Sequence, residues 1–315
     1  MMKKYAKTGF IAILLSMQIL LPILILTPHE VEAKPISSSD FGANSLDYTP
    51  FRKTALVNNT QYIFYEAAGA CSCIVYIYKA ETNTTWSNYI YLTGNVQGDR
   101  FSVKANSTVI HAAYVHGSNG VTYITMTPDS SEQLTVNRNV TLSNQPTTPL
   151  GVNVGWNSTG FPVVITGDSN GTPNAHIWFA NNIAGSSFQT PITSWAFGAT
   201  ESPTYPTTCS LGNGNVLFVV GDNDNLLRGK IFYQTNQSLG NIFSFGTIFS
   251  AAYNYNAICT PSTSTGHVYF IDGNDATYMN VSSAGMPSLS KVVQSSGLTG
   301  VALTTDNSTK LIFVT

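Results

Sequence analysis

Charged side chains are scarce in this sequence. Only 10% of the 315 residues are Asp, Glu, Lys or Arg, the net charge is -2, and there are just four arginines. So few cations cannot form the basic patch of a nucleic-acid-binding protein, and no nucleic-acid partner is predicted. The apolar fraction of 43% argues against a disordered chain. Few carboxylates also means few groups whose protonation costs stability, which predicts a fold that tolerates acid.

Long apolar runs are absent after residue 33, so no membrane span is predicted for the rest of the chain. Residues 1–33 have the pattern of a secretory signal peptide: early lysines, an apolar stretch from Phe10 to Leu26 and a small-residue cleavage site ending at Ala33. Because the apolar stretch is nearly long enough to cross a bilayer, an uncleaved anchor is the competing interpretation. Either interpretation predicts a secreted or cell-surface protein, with 34–48 as a polar N-terminal segment.

Helical periodicity is also absent after the signal peptide, and a repeat of about 50 residues is present instead. Apolar, often aromatic runs recur six times, from Tyr62–Tyr65 to Leu311–Val314. The first five are followed by polar residues that lie 50, 52, 54 and 50 positions apart: Glu66, His116, Asp168, Asp222 and Asp272. Such a period is typical of radially repeated all-β folds, whose small sheets cannot bury their faces alone. We therefore predict an all-β fold, a β-propeller of four-stranded antiparallel blades.

The repeats define a propeller domain over residues 49–315. It contains five complete blades and a partial sixth: 49–95, 96–144, 145–200, 201–255, 256–300 and 301–315. Because a propeller closes to remove its sheet edges, the half blade indicates a fragment of a six- or seven-bladed propeller. Alternatively, the polar segment or another chain completes the ring. A tandem of immunoglobulin-like sandwiches, each built from two repeats, is the competing fold.

Cysteine is rare, with four residues in the chain: Cys71, Cys73, Cys209 and Cys259. An even number in an exported protein permits disulfides, and three pairings are possible. We favour Cys209–Cys259, because both lie near the starts of consecutive repeats, in strands expected to be neighbours. Cys71 and Cys73 then close a small ring or stay reduced.

The turn after each predicted third strand carries a short motif. In four of the five repeats, a small or turn-forming residue precedes a bulky apolar residue by three positions: Asn83–Trp86, Ser131–Leu134, Gly185–Phe188 and Gly240–Phe243. This resembles the Asp-box turn of sialidase-like (BNR-repeat) β-propellers, Ser-x-Asp-x-Gly-x-Thr-Trp, in degenerate form, since only Asp129 keeps the Asp. The resemblance implies that the apolar residue fills the blade and that Asp129 caps backbone amides.

The resemblance also implies where a catalytic site would lie. Sialidases of this family hold a substrate carboxylate with three arginines, the first in a Phe/Tyr-Arg-Ile-Pro segment. Phe51-Arg52 matches the first half of that segment, but Arg100 and Arg228 do not lie at comparable positions. Because carboxylate binding needs converging guanidinium groups, we expect no sialidase catalysis. If the chain is an enzyme, it is a glycoside hydrolase with these candidate residues: Arg52, Asp168, Asp222 and Asp272.

In such a propeller, the turns between the second and third strands share one face with the connections between blades. We call this the B–C face and predict that it binds ligands through Glu66, His116, Asp168, Asp222, Asp224, Asp272 and Asp275. Asp222 and Asp224 are also candidate Ca²⁺ ligands, with simple turn formation as the alternative. No other cofactor is predicted.

Nine Asn-x-Ser/Thr sequons occur in the chain. Eight are predicted glycosylation sites: Asn58, Asn83, Asn106, Asn139, Asn157, Asn236, Asn280 and Asn307. Most lie in turns predicted on the face opposite the B–C face, so glycans should shield that face and leave the B–C face free. Asn170 lies on the B–C face and should be occupied least often.

These features favour a secreted or cell-surface glycoprotein whose propeller is a non-catalytic binding or structural module. An extracellular glycan or a surface protein is the predicted partner. The alternative is an extracellular, sialidase-like glycoside hydrolase that uses the B–C face. The oligomeric state is not predicted.

Overall fold

The structure, a computed structural model, describes the chain in segments: residues 53–67, 72–117, 120–157, 159–169, 173–197, 201–222, 224–247, 255–260, 264–272, 275–285, 287–294, 302–305 and 311–314. In these ranges the elements are β-strands and one short 3-10 turn at Gly212–Gly214. No helix in them has the length and apolar character to cross a membrane. The predicted signal peptide, the polar segment and Arg52 lie outside the described residues, so their assignments stay predictions.

The strands form six separate antiparallel sheets. Blade 1 contains β1 (Thr54–Val57), β2 (Thr60–Glu66), β3 (Ile74–Ala80) and β4 (Ile90–Thr93). Blade 2 contains β5 (Val96–Ala105), β6 (Ile110–His116), β7 (Gly120–Pro128) and β8 (Leu134–Thr141). Blade 3 contains β9 (Pro149–Trp156), β10 (Pro162–Asp168), β11 (Asn174–Phe179) and β12 (Ile192–Ala196).

The remaining sheets follow the same plan. Blade 4 contains β13 (Pro203–Ser210), β14 (Val216–Asp222), β15 (Leu226–Tyr233), β16 (Ser238–Leu239) and β17 (Phe243–Thr247). Blade 5 contains β18 (Tyr255–Thr260), β19 (Thr265–Asp272), β20 (Asp275–Ser282) and β21 (Pro287–Gln294). A sixth sheet contains β22 (Ala302–Thr305) and β23 (Leu311–Val314). The sheets follow the repeats read from the sequence, except that blade 5 begins one residue earlier, at Tyr255.

Strand order identifies the architecture. In blades 1, 2, 3 and 5 the strands pair in sequence order, and in blade 4 both β16 and β17 pair with β15. The first strands of consecutive sheets contact one another, from β1 and β5 through to β18 and β22. One sheet per repeat, with its first strand innermost, is the arrangement of a propeller. The predicted β-propeller is therefore confirmed, and the tandem of immunoglobulin-like sandwiches is wrong.

The apolar core lies between neighbouring blades. Separate buried clusters join blades 1 and 2, 2 and 3, 3 and 4, and 4 and 5. Between blades 3 and 4, for example, Phe179 stacks 4.2 Å from Phe232, centroid to centroid, beside the fully buried Phe218. Every residue of β10 and β14 is buried, which explains why these second strands are continuous apolar runs in the sequence.

The predicted disulfide is present. Cys209 in β13 and Cys259 in β18 are bonded, with their Cα atoms 5.5 Å apart. The bond joins the innermost strands of blades 4 and 5, which are neighbours in space but 50 residues apart in sequence. Cys73 is also disulfide-bonded and so is not reduced, whereas Cys71 lies outside the described residues.

The turn between β7 and β8 behaves as the Asp-box resemblance implies. One carboxylate oxygen of Asp129 accepts hydrogen bonds from the Ser131 amide at 2.7 Å, the Ser131 hydroxyl at 2.7 Å and the Gln133 amide at 3.1 Å. The bonds from Ser131 lower the pKa of this exposed carboxyl group. In blade 3, Phe188 packs edge-on against Tyr123 of blade 2 with centroids 5.0 Å apart. Asp129 and Phe188 therefore both have structural roles.

Buried histidines occupy equivalent positions in blades 2 and 5. His111 and His267 each lie five residues before the end of the second strand, and each Nδ1 is 2.6 Å from a tyrosine hydroxyl, that of Tyr123 or Tyr278. Burial, reinforced by Lys104, lowers the pKa of His111 to about 4, and burial also lowers the pKa of His267. Both histidines are hydrogen-bonded core residues. For His111, its position in an apolar strand predicts this role.

Removing the disulfide should destabilise the propeller without changing its fold. A Cys209→Ser/Cys259→Ser variant frees a 50-residue loop in the unfolded chain, and the loop-entropy relation gives a loss of about 4 kcal/mol. Urea unfolding of both proteins, followed by circular dichroism, measures the difference. An unchanged midpoint would show that the bond adds no net stability.

Acid should destabilise the fold through His111. Its pKa in the folded state, about 4, is below the unfolded value near 6.5. Below pH 6.5 the unfolded chain therefore binds the proton first, and His111 alone costs about 3 kcal/mol of stability between pH 6.5 and 4. We expect the free energy of unfolding of a His111→Gln variant to fall less steeply over this interval. At pH 8 the imidazole is neutral, so the difference in free energy of unfolding between the two proteins measures only the packing lost in the variant. Identical slopes of that free energy against pH would contradict the lowered pKa of His111. The buried histidines thus oppose the acid tolerance that composition predicts.

Candidate functional site

The polar residues predicted to form the B–C face do share one end of the blades. Each of the following is the last residue of a second strand: Glu66, His116, Asp168, Asp222 and Asp272. Asp275 begins the next strand and pairs with Asp272, and Asp224 lies in the turn after β14. Their positions in the fold are therefore equivalent. The side chains of Asp272 and Asp275 lie outside the described part of the structure.

The carboxylate of Asp168 accepts hydrogen bonds from backbone groups of its own blade. Its two carboxylate oxygens accept hydrogen bonds from the amides of Thr147 and Thr148, each at 3.0 Å, in the connection that leads into β9. His176 Nε2 lies 3.6 Å from the same carboxylate, and burial lowers the pKa of this histidine although Asp168 opposes the shift. The buried carboxylate thus holds the connection between blades 2 and 3 in place.

Asp222 has a similar role in blade 4. It is 0% exposed, and its Oδ1 accepts hydrogen bonds from the amides of Asp224 at 3.0 Å and Leu226 at 2.9 Å. Its Oδ2 lies 2.8 Å from Arg228 Nε, and Arg228 Nη2 lies 2.7 Å from Glu201 Oε1. Burial raises the pKa of Asp222, against the opposing effects of these amides and of Arg228. The carboxylate closes the turn and anchors the guanidinium group.

The described candidate ligands on this face form no metal site with Asp222. Within the ranges that the structure describes, no three acidic, histidine or cysteine side chains form a group that could hold a metal ion. Burial raises the pKa of Glu66, which Lys53 opposes. Arg100 donates to Gln97 Oε1 at 3.0 Å and to the Pro149 carbonyl at 2.9 Å, far along the chain from the Arg228 cluster. The B–C face thus uses its charged groups within the fold.

The sequons differ in accessibility. The exposed ones are Asn58, Asn83, Asn106, Asn139 and Asn236, and Asn280 is partly buried. Asn157 is 3% exposed, and its Oδ1 accepts hydrogen bonds from Thr159 and from the Phe161 amide at 2.9 Å. Asn157 thus differs from the exposed sequons in being buried, and its glycosylation stays a prediction. Asn170 and Asn307 lie outside the described residues.

A groove opens on the opposite face, between the outer parts of blades 4 and 5. It has a volume of about 300 Å³. Its apolar base consists of Ile231, Tyr233 and Phe243, and Ile242, which is 45% exposed, stands at its edge. Its polar lining comes from Asn236, Ser238 and Asn241. Among the described residues that line it, none is charged.

Two glycines hold Tyr233 in place. A Cβ atom on Gly240 would lie 2.7 Å from Tyr233 Cε2, so the ring packs directly on the backbone of the turn after β16. Gly285 of blade 5 has a φ of +77°, and a Cβ there would lie 3.4 Å from the Tyr233 hydroxyl. The hydroxyl has no hydrogen-bond partner among the described residues and is therefore available to a ligand.

Sequence reasoning missed this groove. The sequence analysis identifies Gly240–Phe243, but as part of a blade-filling turn. Tyr233 lies at the end of β15 and carries no motif of its own. A weak signal exists in the cluster of amide and hydroxyl side chains over 234–241, beside two aromatic residues.

No protein-family model matches the sequence, and no curated protein matches it. Solved structures are similar in fold. AofleA from Arthrobotrys oligospora has a TM-score of 0.54 at 9% identity, covering 84% of this chain and 79% of AofleA. A protein from Lactobacillus plantarum has a TM-score of 0.52 at 12% identity, covering 79% and 72%. An ulvan lyase from a new family of polysaccharide lyases, bound to a GlcA(1-4)Rha3S unit, has a TM-score of 0.50 at 10% identity, covering 78% and 72%.

Asp222 should be a stability residue. We expect Asp222→Ala to cost about 3 kcal/mol, because it leaves two turn amides without an acceptor and breaks a buried ion pair. Asp222→Asn keeps an oxygen for the amides and should cost less. The control is Asp224→Ala, an exposed carboxylate in the same turn, with an expected change within about 0.5 kcal/mol. Urea unfolding measures all three, and equal losses at both positions would contradict the role given to Asp222.

Proposed function

We propose that this chain is an extracellular, non-catalytic carbohydrate-binding propeller, and that the groove between blades 4 and 5 is its site. The observation that carries the proposal is the combination of a rigidly held Tyr233 ring with an uncharged rim of amides and hydroxyls. One face of a pyranose ring presents C–H groups that stack on an aromatic ring, while its hydroxyls need hydrogen-bond donors and acceptors. Few but well-placed polar groups over an apolar base are usual in small-molecule sites.

The chemistry of the groove favours a neutral sugar. A phosphate, a sulfate or a uronic acid needs cationic partners, and the lining offers none. A metal ion needs several anionic oxygens, which are also missing from the lining. The polysaccharide bound by the ulvan lyase supports the view that propellers of this fold accommodate sugars, although its unit carries acidic groups.

Catalysis is not part of this proposal. A glycoside hydrolase needs two carboxyl groups that flank the scissile bond. Asp168 and Asp222, the described members of the predicted catalytic set, accept bonds from backbone amides or Arg228 instead. Arg100 and Arg228 are each engaged in separate blades, so they form no joint carboxylate site. The sialidase-like assignment stays a prediction that rests on the Asp-box resemblance.

Tyr233→Ala should abolish or strongly weaken glycan binding. Unglycosylated protein is screened on an array of neutral and acidic glycans, and the affinity for the strongest neutral glycan is measured by calorimetry. Loss of the ring should weaken binding at least tenfold, or by about 1.4 kcal/mol. The matched control is Tyr89→Ala, since Tyr89 is 62% exposed in blade 1 and away from the groove.

Three results would count against this function. They are the absence of any neutral glycan binding, a preference for acidic glycans, and equal effects of the Tyr233 and Tyr89 substitutions. Binding to another part of the propeller gives the third result, so the two tyrosine variants locate the site as well as test it.

A further inference from the structure

One residue of the groove is itself a predicted glycosylation site. Asn236 lines the groove and begins the sequon Asn236-Gln237-Ser238. Its side chain is exposed, and its Oδ1 accepts a hydrogen bond from the Ser238 hydroxyl at 2.9 Å. This bond uses the oxygen of the amide and leaves Nδ2, the atom to which a sugar attaches, without a partner among the described residues.

The location of Asn236 differs from that of a sequon in a freely exposed turn. Asn83, in the corresponding turn of blade 1, is exposed as well. The described part of blade 1 has two cavities, one beside Glu81 and one beside Trp86, and Asn83 lines neither of them. A sugar on Asn236 is instead attached at the wall of a groove whose base contains Tyr233 and Phe243. The first sugar of an attached glycan is therefore held beside a site with the chemistry to bind it.

We infer that an N-linked glycan on Asn236 occupies the groove and blocks it to external sugars. The inference rests on the proposed function, because it uses the same sugar-binding chemistry. In the modification, Nδ2 forms a bond to the anomeric carbon of a lipid-pyrophosphate-linked sugar. The bond from that carbon to the pyrophosphate breaks, Nδ2 loses one proton, and the lipid pyrophosphate leaves.

Attachment favours occupancy by mass action. A tethered ligand has an effective concentration in the millimolar range, so even a weak contact with Tyr233 is populated. An external sugar must displace the attached sugar. Its apparent affinity is therefore its intrinsic affinity multiplied by the fraction of molecules whose groove is open. With the groove about nine-tenths occupied, external binding weakens about tenfold. Glycosylation of one residue would thus set whether the site is open.

The test uses protein from its native host and has two parts. One measures the fraction of Asn236 that is glycosylated, and the other is a double-mutant cycle between Ser238 and Tyr233. Glycopeptide mass spectrometry first determines whether Asn236 carries a sugar. Ser238→Ala removes the sequon but keeps Asn236, and we expect it to lower the melting temperature by about 3 °C. In a Tyr233→Ala background the same substitution should have almost no effect, because the attached sugar has lost its contact. Protein made in a host without N-glycosylation gives the baseline for Ser238→Ala itself.

Matched variants complete the cycle. Ser238→Thr keeps the sequon, so Asn236 should stay glycosylated and its thermal coupling to Tyr233 should persist. Asn83→Gln removes a glycan that should show no coupling to Tyr233. An empty Asn236, or a Ser238→Ala effect that persists without Tyr233, would overturn the inference. Array binding of the wild-type protein made in the host without N-glycosylation tests the proposed function separately, because its groove is open and its lining is unchanged. If that protein binds no glycan while the thermal coupling is present in the glycosylated protein, the function fails and the occupancy stands.

Discussion

Burial between neighbouring blades is the constraint on which the rest of this structure depends. A four-stranded sheet has two faces and little depth, so each blade excludes water from its apolar side chains only by packing on the next. Trp178, Phe218 and Tyr255 are among the largest buried residues, and each belongs to a cluster that spans two blades. Each such side chain contributes about 2–3 kcal/mol relative to an exposed position. Polar groups in these layers must therefore find partners within them. The His111–Tyr123 pair and the buried Lys53, whose ammonium donates to the Phe101 carbonyl at 2.9 Å, both meet this condition.

The same constraint explains what could be predicted from the sequence. A strand covered on both faces is apolar at nearly every position, so second strands such as β10 and β14 mark the period clearly. Equivalent residues in consecutive repeats become neighbours when first strands lie side by side, which is why Cys209 and Cys259 could be paired. One sheet per repeat and the shared end of the five strand-terminal residues follow from the period.

The chemistry of the site could not be predicted in the same way. A repeat defines which residues are equivalent, but it gives no distances across a blade boundary. Tyr233 and Gly285 meet only because blades 4 and 5 pack at a particular offset. Nor does a sequence show whether a turn carboxylate points to solvent or to its own backbone. Asp168 and Asp222 resemble ligand-binding residues, yet their oxygens satisfy amides that would otherwise be buried without acceptors. Asn157 and Asn58 occupy equivalent turns, but only Asn157 folds its side chain inward.

The two faces differ in how their described polar groups are used. At the B–C face, Asp168 binds amides in the connection between blades 2 and 3, and Asp222 binds amides in the turn after β14. The opposite face carries exposed sequons and also the groove, so the predicted glycans and the proposed binding site share it. The composition favours this division. In a chain with 10% charged residues, few charged side chains are left for ligand binding once some of them have stabilised the turns. What it has in abundance are tyrosines, amides and hydroxyls, and these provide stacking and neutral hydrogen bonds. The composition therefore supports the proposal of a ligand that is itself neutral and rich in hydroxyl groups.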